Sequence, residues 1–286
     1  MQLVGSEQPS ARGRLRGKVA IITGAGGNLG REICARFLQE GADIAMLGRN
    51  PAKLDALRAS LSADLEVDES RALTLLCDGA DPEQTRHAVQ KIIEHFGKID
   101  ILINNAGSAG PRQRLEDLPL SRADLEVQSG TLTDTESALD ALHNIFGISW
   151  NMVRAVTPHL RPGASIVNIS TIFSRTNYFG RTAYVVPKAA LNAWSRRLAY
   201  ELGNVGVRVN TVLPGPIASE RISSVFASMD ILRKASSGTT AEEVFDMMTL
   251  SRSVSEAEPA RTFPTVPDVA NTIVRSEEHT SELQSH

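Results

Sequence analysis

Short apolar runs alternate with amphipathic stretches along most of the chain, and this alternation limits the possible folds more than any other feature. Each apolar run is about five residues long and reads as a buried strand, and the stretch after it has helical periodicity. Strands that alternate with helices in this way predict a Rossmann-type α/β fold, a doubly wound parallel sheet with six strands. The predicted strands are 18–22, 43–47, 72–76, 99–103, 163–170 and 207–213, and the predicted helices are 29–40, 51–62, 82–96, 134–159 and 182–204.

A glycine-rich loop, T-G-A-G-G-N-L-G (23–30), joins the first predicted strand to the first helix. Glycines at this point allow a tight turn and the close approach of a pyrophosphate, whose charge a helix N-terminus favours. Many strand–helix turns carry glycine for steric reasons alone, so the loop by itself is a weak signal. Its position after the first strand of an alternating chain predicts a dinucleotide site.

The end of the second strand indicates which dinucleotide is bound. An NAD site usually has an acidic residue there, to bind the ribose hydroxyls. This chain has Gly48-Arg49-Asn50 instead. Gly48 leaves room for a phosphate, and the planar guanidinium of Arg49 suits a 2′-phosphate. The alternative is that Arg49 is a solvated loop arginine. We therefore predict NADPH as the cofactor.

A tyrosine and a lysine four residues apart, Tyr184 and Lys188, lie in the predicted helix 182–204. This spacing places both side chains on one helix face. A free phenol is a poor acid or base at neutral pH, and a neighbouring ammonium stabilises its phenolate form. The pair suits proton transfer, with Thr171 as a nearby hydroxyl, but such a pair also arises by chance on a helix surface.

Composition excludes several classes of function. The 286 residues carry 30 Lys and Arg against 33 Asp and Glu, a net charge of −3, which gives no support for binding to nucleic acid or to an anionic membrane. The chain has no run of 18 apolar residues, so no membrane span is predicted. The first residues lack the apolar core of a signal peptide, so a cytoplasmic protein is expected.

The two cysteines suggest no metal site. Cys34 and Cys77 both lie in apolar contexts, which predict buried thiols.

Both ends of the chain are expected to lie outside the folded domain. Residues 1–16 are polar and predict a disordered lead-in, and 17–274 predict one domain, with substrate-side helices over 218–263. Residues 275–286, R-S-E-E-H-T-S-E-L-Q-S-H, resemble the translation of a sequencing adapter and are expected to be a non-native read-through tail.

Taken together, these motifs resemble the short-chain dehydrogenase/reductase family over roughly residues 17–274. The resemblance rests on the glycine-rich loop, Asp78, N-N-A-G (104–107), Asn144 in H-N-I-F-G, Y-V-V-P-K and P-G-P-I (214–217). It implies that Asp78 contacts adenine and that a catalytic tetrad is formed by Asn144, Thr171, Tyr184 and Lys188. It also implies a seventh strand at the sheet edge, which is expected to be truncated in this chain. The cofactor residues that it implies are Gly24, Gly26, Asn28, Leu29, Gly30, Arg49, Asn50, Asp78, Gly79, Asn105, Ala106, Gly107, Tyr184, Lys188, Pro214, Gly215 and Ile217.

Two positions depart from the family pattern. Asn28 replaces the usual middle glycine, a change that asparagine is expected to tolerate because it accepts left-handed backbone. Thr171 replaces the usual serine, which keeps the hydroxyl but adds a stiffening methyl group. Ser170, directly before it, is a second candidate for the catalytic hydroxyl.

A narrower group within the family carries the same inner motifs. N-N-A-G-S-A-G, S-T-I-F-S-R and Y-V-V-P-K-A-A-L-N-A resemble the amino-terminal modules of bacterial bifunctional malonyl-CoA reductases. The resemblance implies NADPH-dependent reduction of malonate semialdehyde to 3-hydroxypropionate, in a full-length parent that forms a homo-oligomer. The alternatives are a reductase of another 3-oxo acid or alcohol, and a non-catalytic NADP-binding module.

A carboxylate-bearing aldehyde needs a cationic partner in the active site. Arg175 and Arg181 lie between Thr171 and Tyr184, and a guanidinium suits a carboxylate, so one of the two is predicted to bind the substrate. The alternative is that both are solvated or support the loop. Candidates outside this stretch are Arg112, Arg114 and Arg221. The long segment 108–132 is a candidate lid, an interface or a plain surface loop.

Overall fold

The computed structural model describes residues 13–65, 68–111, 113–121, 123–124, 136–176, 180–215 and 266–278.

Six parallel strands form one sheet in the order β3-β2-β1-β4-β5-β6. This is the Rossmann order, in which the chain starts in the middle of the sheet and builds each half in turn. The predicted fold class is confirmed, and each strand lies within two residues of its predicted bounds. The strands are β1 (Val19–Thr23), β2 (Asp43–Gly48), β3 (Ala72–Leu76), β4 (Ile101–Asn104), β5 (Ser165–Ile169) and β6 (Arg208–Val212).

Helices cover both faces of the sheet. The helices are α1 (Asn28–Gln39), α2 (Pro51–Leu65), α3 (Pro82–Phe96), α4 (Ala138–Leu142), α5 (Ile148–Val156), α6 (Thr182–Gly203) and α7 (Val266–Glu278). One apolar core joins α1, α2 and α7 to the sheet, and a second joins α3, α5 and α6 to it. The strands are apolar on both sides because each side is covered by helices.

Local chemistry sets the helix ends, as α3 illustrates. The Asp81 carboxylate accepts hydrogen bonds from the backbone N–H groups of Glu83 and Gln84 at 2.8 and 3.2 Å, and Pro82 occupies the first turn. Gly97 ends the helix with a φ of +77°, a conformation that glycine adopts without strain. The predicted bounds of this helix, 82–96, are confirmed.

The helix predicted over 134–159 is not a single regular helix. Ser137 begins α4 through a capping box with Asp140, a π-helical turn follows at His143–Gly147, and α5 then runs to Val156. A 3-10 turn at Thr157–His159 ends the segment. The apolar periodicity is continuous through the π turn, which is why the sequence pattern does not reveal it.

The predicted limits of the domain need two corrections. Residues 13–16 belong to the fold: Leu15 is 2% exposed in the core, and its neighbour Arg14 pairs with Glu40. At the other end, α7 continues past residue 274, and the carbonyl oxygen of Ser276 accepts a hydrogen bond from Arg208 at 2.9 Å. The segment 218–263 lies outside the described residues.

In the part of the chain that the structure describes, no helix is long and apolar enough to cross a membrane. The same residues contain no group of three or more acidic, histidine or cysteine side chains placed to hold a metal ion.

Candidate active site

A cleft of about 610 Å³ opens at the carboxyl ends of the strands. Residues that follow each of the six strands line it, and it lies where the sheet order reverses between β1 and β4. In open α/β sheets this crevice is the place where ligands bind. It is large enough for a dinucleotide, and the following features test whether its walls suit one.

The glycine-rich loop forms one wall of the cleft, packed too closely for side chains. A Cβ atom at Gly24, whose φ is +66°, would lie 2.9 Å from the Cα of Ala106, and one at Gly30 would overlap the carbonyl oxygen of Gly24. The backbone is therefore open to a ligand at the start of α1, as a pyrophosphate requires. Asn28 is a helical residue of α1, so the expected left-handed conformation at this position is wrong; Gly24 makes the turn instead.

Thr23 ties the glycine-rich loop to the N-N-A-G segment. Its buried hydroxyl accepts hydrogen bonds from the backbone N–H groups of Asn105 and Ala106, both at 3.0 Å. The Asn105 side-chain amide donates to the carbonyl oxygens of Thr23 and Gly24 at 3.1 and 3.2 Å. Asn105, Ala106 and Gly107 line the cleft, and the side chain of Asn105 holds the two loops together.

The far end of the cleft is positively charged. Arg49 and Lys53 line it, and Arg49 directly follows β2. Asn50, also in the lining, accepts a hydrogen bond from the Lys53 backbone N–H at 3.0 Å and so caps α2. This end of the cleft therefore has two cationic side chains, and no acidic residue directly follows β2. This charge suits the 2′-phosphate of NADP better than the two ribose hydroxyls of NAD.

Asp78 and Gly79 line the same end, after β3. One carboxylate oxygen of Asp78 accepts the Ala80 N–H at 3.0 Å, which fixes the side chain against its own turn. A Cβ atom at Gly79 would lie 2.7 Å from the Cγ2 of Ile148, so glycine is needed where this turn passes α5. Both residues therefore form part of the cleft wall beside the end of β3.

Tyr184 and Lys188 lie one turn apart on α6 and line the opposite end of the cleft. Lys188 is 6% exposed, and its ammonium donates to the carbonyl oxygen of Ile169 at 2.6 Å. This hydrogen bond fixes the ammonium at the carboxyl end of β5, on the cleft wall. A cation and a phenol one helical turn apart on a cleft wall are an arrangement suited to proton transfer.

The two candidate hydroxyls have different partners. Ser170 donates its proton to the carbonyl oxygen of Lys188 at 3.2 Å, within the protein. The Thr171 oxygen accepts a long hydrogen bond, 3.4 Å, from the Phe173 N–H, and this contact leaves its own proton available to donate. Both residues line the cleft, but these contacts favour Thr171 as the group that binds a substrate carbonyl.

Asn144 lies on the π-helical turn and also lines the cleft. Its side-chain amide donates to a carboxylate oxygen of Glu136 at 2.7 Å. A π-helical turn displaces a residue from the regular helix pattern and often marks a functional position.

The two candidate arginines for substrate binding are placed very differently. Arg181 is 6% exposed, lines the cleft and lies over the Tyr184 ring, whereas Arg175 is exposed after the 3-10 turn Ile172–Ser174 and does not line the cleft. Arg114 pairs with Glu116 at 3.4 Å and is also absent from the lining. The structure therefore brings Arg181 to the site and leaves Arg175 outside it. Arg112, Arg221 and Ile217 lie outside the described residues.

Neither cysteine provides a reactive thiol. Burial raises the pKa of Cys34 far above its usual range. Burial also raises the pKa of Cys77 to about 11, with a hydrogen bond to Thr85 opposing the shift. Both thiols stay protonated near neutral pH, as predicted for structural residues.

Comparison with known proteins agrees with this geometry. Residues 18–230 match the family described as short chain dehydrogenase. The uncharacterized oxidoreductase YhdF of Bacillus subtilis (strain 168) is 35% identical over 229 residues, which cover 79% of this chain and 72% of that protein.

The chain belongs to the short-chain dehydrogenase/reductase family. It is accordingly an NAD(P)-dependent oxidoreductase that acts on alcohol or carbonyl groups.

Solved structures of the family extend the comparison. The N-domain of a bacterial malonyl-CoA reductase, crystallised with NADP, is 51% identical with a TM-score of 0.81 and covers 94% of this chain. The chain spans about half of that protein, since 50% of it is covered. A short-chain dehydrogenase from Burkholderia cenocepacia J2315 in complex with NADP is 26% identical with a TM-score of 0.68, covering 92% of this chain and 91% of that one.

Several site residues of this short-chain dehydrogenase/reductase were not predicted from its sequence. Thr23 has a weak signal, as the hydroxyl residue that opens the glycine-rich loop. Ser108 lies in the N-N-A-G-S-A-G motif but was given no role there. Lys53 and Glu136 have no sequence signal, because each reaches the site through the fold rather than through a motif. Pro214 and Gly215, which were predicted, line the cleft after β6.

Proposed function

We propose that this chain reduces malonate semialdehyde to 3-hydroxypropionate with NADPH. The observation that carries the proposal is the buried Arg181 guanidinium on the cleft wall, beside the tyrosine of the tetrad. It gives the substrate end of the cleft a fixed positive charge, which a short aldehyde with a carboxylate matches. The 51% identity to the N-domain of a malonyl-CoA reductase supports the same substrate.

NADP(H) fits the described walls of the cleft. The glycine-rich loop would hold the pyrophosphate, Arg49 and Lys53 the 2′-phosphate, and Asp78 the adenine, and all of them line the cleft. Tyr184 and Lys188 would hold the ribose next to the nicotinamide, with Pro214 and Gly215 on the other side. When bound, the reduced cofactor supplies a hydride to the carbonyl carbon of the substrate.

The protein's own groups supply the proton and the orientation. Tyr184 donates its phenolic proton to the carbonyl oxygen as negative charge develops there. The Lys188 ammonium, held by the Ile169 carbonyl oxygen, stabilises the phenolate that remains. Thr171 donates a hydrogen bond that orients the carbonyl, and Asn144 holds the water through which Tyr184 regains its proton.

Arg181 binds the carboxylate at the other end of the substrate. Its guanidinium is rigid, always charged and able to form two parallel hydrogen bonds to a carboxylate. Because it lies against the ring of the proton donor, a substrate held by Arg181 is also held near the Tyr184 hydroxyl. Positioning of this kind lowers the barrier by removing the freedom that a free reactant loses.

The test is the rate of NADPH oxidation by the purified chain with malonate semialdehyde and with propanal, an uncharged aldehyde of the same length. A higher kcat/KM for malonate semialdehyde is expected. Tyr184→Phe keeps the ring under Arg181 but lacks the acid, and it should lose most of the turnover on both aldehydes. Preference for propanal would indicate a general reductase, and unchanged turnover in Tyr184→Phe would contradict the assigned acid.

The homo-oligomer implied by the resemblance stays a prediction, as does the role of this chain as the leading module of a longer reductase. Sedimentation of the full-length parent protein measures the first directly.

A further inference from the structure

We infer that Glu136 is a positioning residue of the reaction, whose carboxylate holds Asn144 and Ser108 in place at the edge of the cleft. One of its oxygens accepts the Asn144 amide at 2.7 Å, and the Ser108 hydroxyl lies 3.1 and 3.2 Å from the two carboxylate oxygens. Both partners line the cleft, whereas the half-buried Glu136 lies behind them. The inference rests on the proposed function for the role of Asn144.

Glu136 is itself held by its neighbour in the chain. It directly precedes Ser137, whose hydroxyl and backbone N–H both contact the Asp140 carboxylate in a capping box, at 2.9 and 3.0 Å. Ser137 is 1% exposed, so the backbone next to Glu136 is anchored in the protein interior. A carboxylate on an anchored backbone is a suitable fixed point for the side chains of Asn144 and Ser108.

The contacts of Glu136 join two separate parts of the active site. Asn144 is on the π-helical turn, and Ser108 directly follows the N-N-A-G segment after β4. Ser108 in turn accepts the Gly110 N–H at 3.2 Å. Gly110 has a φ of +63°, and a Cβ atom there would lie 3.3 Å from the backbone nitrogen of Tyr184. One carboxylate thus fixes Asn144 and, through Ser108 and Gly110, the wall beside the start of α6.

The carboxylate also determines which groups Asn144 presents to the cleft. Because one N–H of the amide points to Glu136, the Oδ1 oxygen and the second N–H remain for other partners. Without the carboxylate, the amide would be free to rotate and the two ends would exchange. The ordering of a water beside Asn144 would then be lost, and with it part of the proton relay.

Glu136→Ala is expected to lower kcat about tenfold or more, since small displacements of catalytic groups have effects of that size. The KM for NADPH should change less than about twofold, because Glu136 is outside the cleft lining. The denaturation midpoint should change less than about 5 °C, because Glu136 is also outside the apolar cores. Glu136→Gln should restore most of the kcat, since its oxygen can accept from Asn144 and its amide can donate to Ser108. Glu116→Ala is the matched control, an exposed glutamate that pairs with Arg114 and should have no effect.

Three results would overturn the inference. The first is a wild-type kcat in Glu136→Ala. The second is a loss in Glu136→Ala that comes with a matching loss of NADPH affinity or stability, which would indicate a structural role. The third is a Gln variant as slow as the Ala variant with an altered pH profile, which would make Glu136 a proton-transfer group.

The variants are compared on both malonate semialdehyde and propanal, so the inference is tested even if the proposed substrate is wrong. A crystal structure of Glu136→Ala tests the inference without measuring turnover. We expect the Asn144 amide and the Ser108 hydroxyl to have moved, and unchanged positions for both would refute the positioning role.

Discussion

The guanidinium carbon of Arg181 lies 4.7 Å from the centre of the Tyr184 ring. A cation at this distance from an aromatic face is attracted to it, and the contact is stronger where water is excluded. Arg181 is also the residue that directly precedes α6, and its carbonyl oxygen accepts the Tyr184 N–H at 2.9 Å. The proposed proton donor and the proposed carboxylate ligand are therefore held together by both side chain and backbone.

Arg181→Ala should impair malonate semialdehyde reduction more than propanal reduction. Loss of a charged hydrogen bond is worth about 1.5–3 kcal/mol, so the ratio of the two kcat/KM values should fall about 10- to 100-fold. Any general damage to α6 affects both substrates and cancels in the ratio.

Arg175→Ala is the control for that experiment, since Arg175 is exposed and outside the cleft lining. Its ratio should equal that of the wild type. An equal loss on both aldehydes in Arg181→Ala would mean that Arg181 supports the fold and does not select the substrate.

Arg49→Ala should raise the KM for NADPH about tenfold or more and leave the KM for NADH nearly unchanged, because a phosphate loses its bidentate partner. Lys53→Ala should have a smaller effect in the same direction. Steady-state kinetics with each cofactor measures both. Arg58→Ala, an exposed arginine of α2 outside this cleft, is the control. Equal changes for the two cofactors would show that Arg49 does not recognise the phosphate.

Gly30→Ala should destabilise the cofactor loop. The added methyl would overlap the Gly24 carbonyl oxygen and lie 2.9 Å from the Cα of Ala25, and backbone cannot move aside as a flexible side chain does. We expect a loss of about 1–3 kcal/mol in the free energy of unfolding and weaker NADPH binding. Denaturant unfolding and cofactor fluorescence measure the two. Gly203→Ala, where a methyl group meets no atom within 4 Å, should not destabilise the protein.

Glu40 should give the protein a stability term that depends on pH. Its carboxylate bonds to Arg14 at 2.5 Å and accepts the backbone N–H groups of Gly13 and Arg14, and the hydrogen bond from Arg14 lowers its pKa below 4.5. Because the pKa is lower in the folded state, the stabilisation is complete above pH 4.5 and is lost as the pH falls through the folded-state pKa. Glu40→Gln should thus unfold more easily at pH 7, and the difference should shrink in acid.

Unfolding of the Glu40→Gln and wild-type proteins across this pH range checks the prediction. Glu32→Gln, which breaks a partly exposed pair with Arg36 at 2.9 Å, should have a smaller effect at pH 7. A difference between wild type and Glu40→Gln that stays constant down to pH 3 would contradict the assignment.

The sequence predicted the sheet well because buried parallel strands are short apolar runs with glycine or polar residues at their ends. It predicted the cleft for a related reason: the carboxyl ends of such strands meet at one edge, so residues such as Arg49, Asp78 and Asn105 had to come together. The pairing of Tyr184 with Lys188 was predictable because residues four apart lie on one face of a helix.

Features that depend on the path of a loop were not predictable. Arg175 and Arg181 are equivalent in the sequence, and the 3-10 turn after Thr171 directs one outward while α6 places the other inward. The contact of Glu136 with Asn144 joins residues with no motif between them, from before α4 to a π-helical turn that leaves the apolar pattern unchanged. No local pattern encodes either result.

The position of α7 has a consequence for the order in which this protein folds. Val269, Ala270, Ile273 and Val274 complete the apolar core that α1 and α2 share with the sheet. During synthesis, that core therefore stays open until almost the whole described chain has left the ribosome, although α1 was made more than 220 residues earlier. The half of the domain that contains the glycine-rich loop is synthesised first, but its core is completed last. For most of translation its apolar surface is therefore available to chaperones.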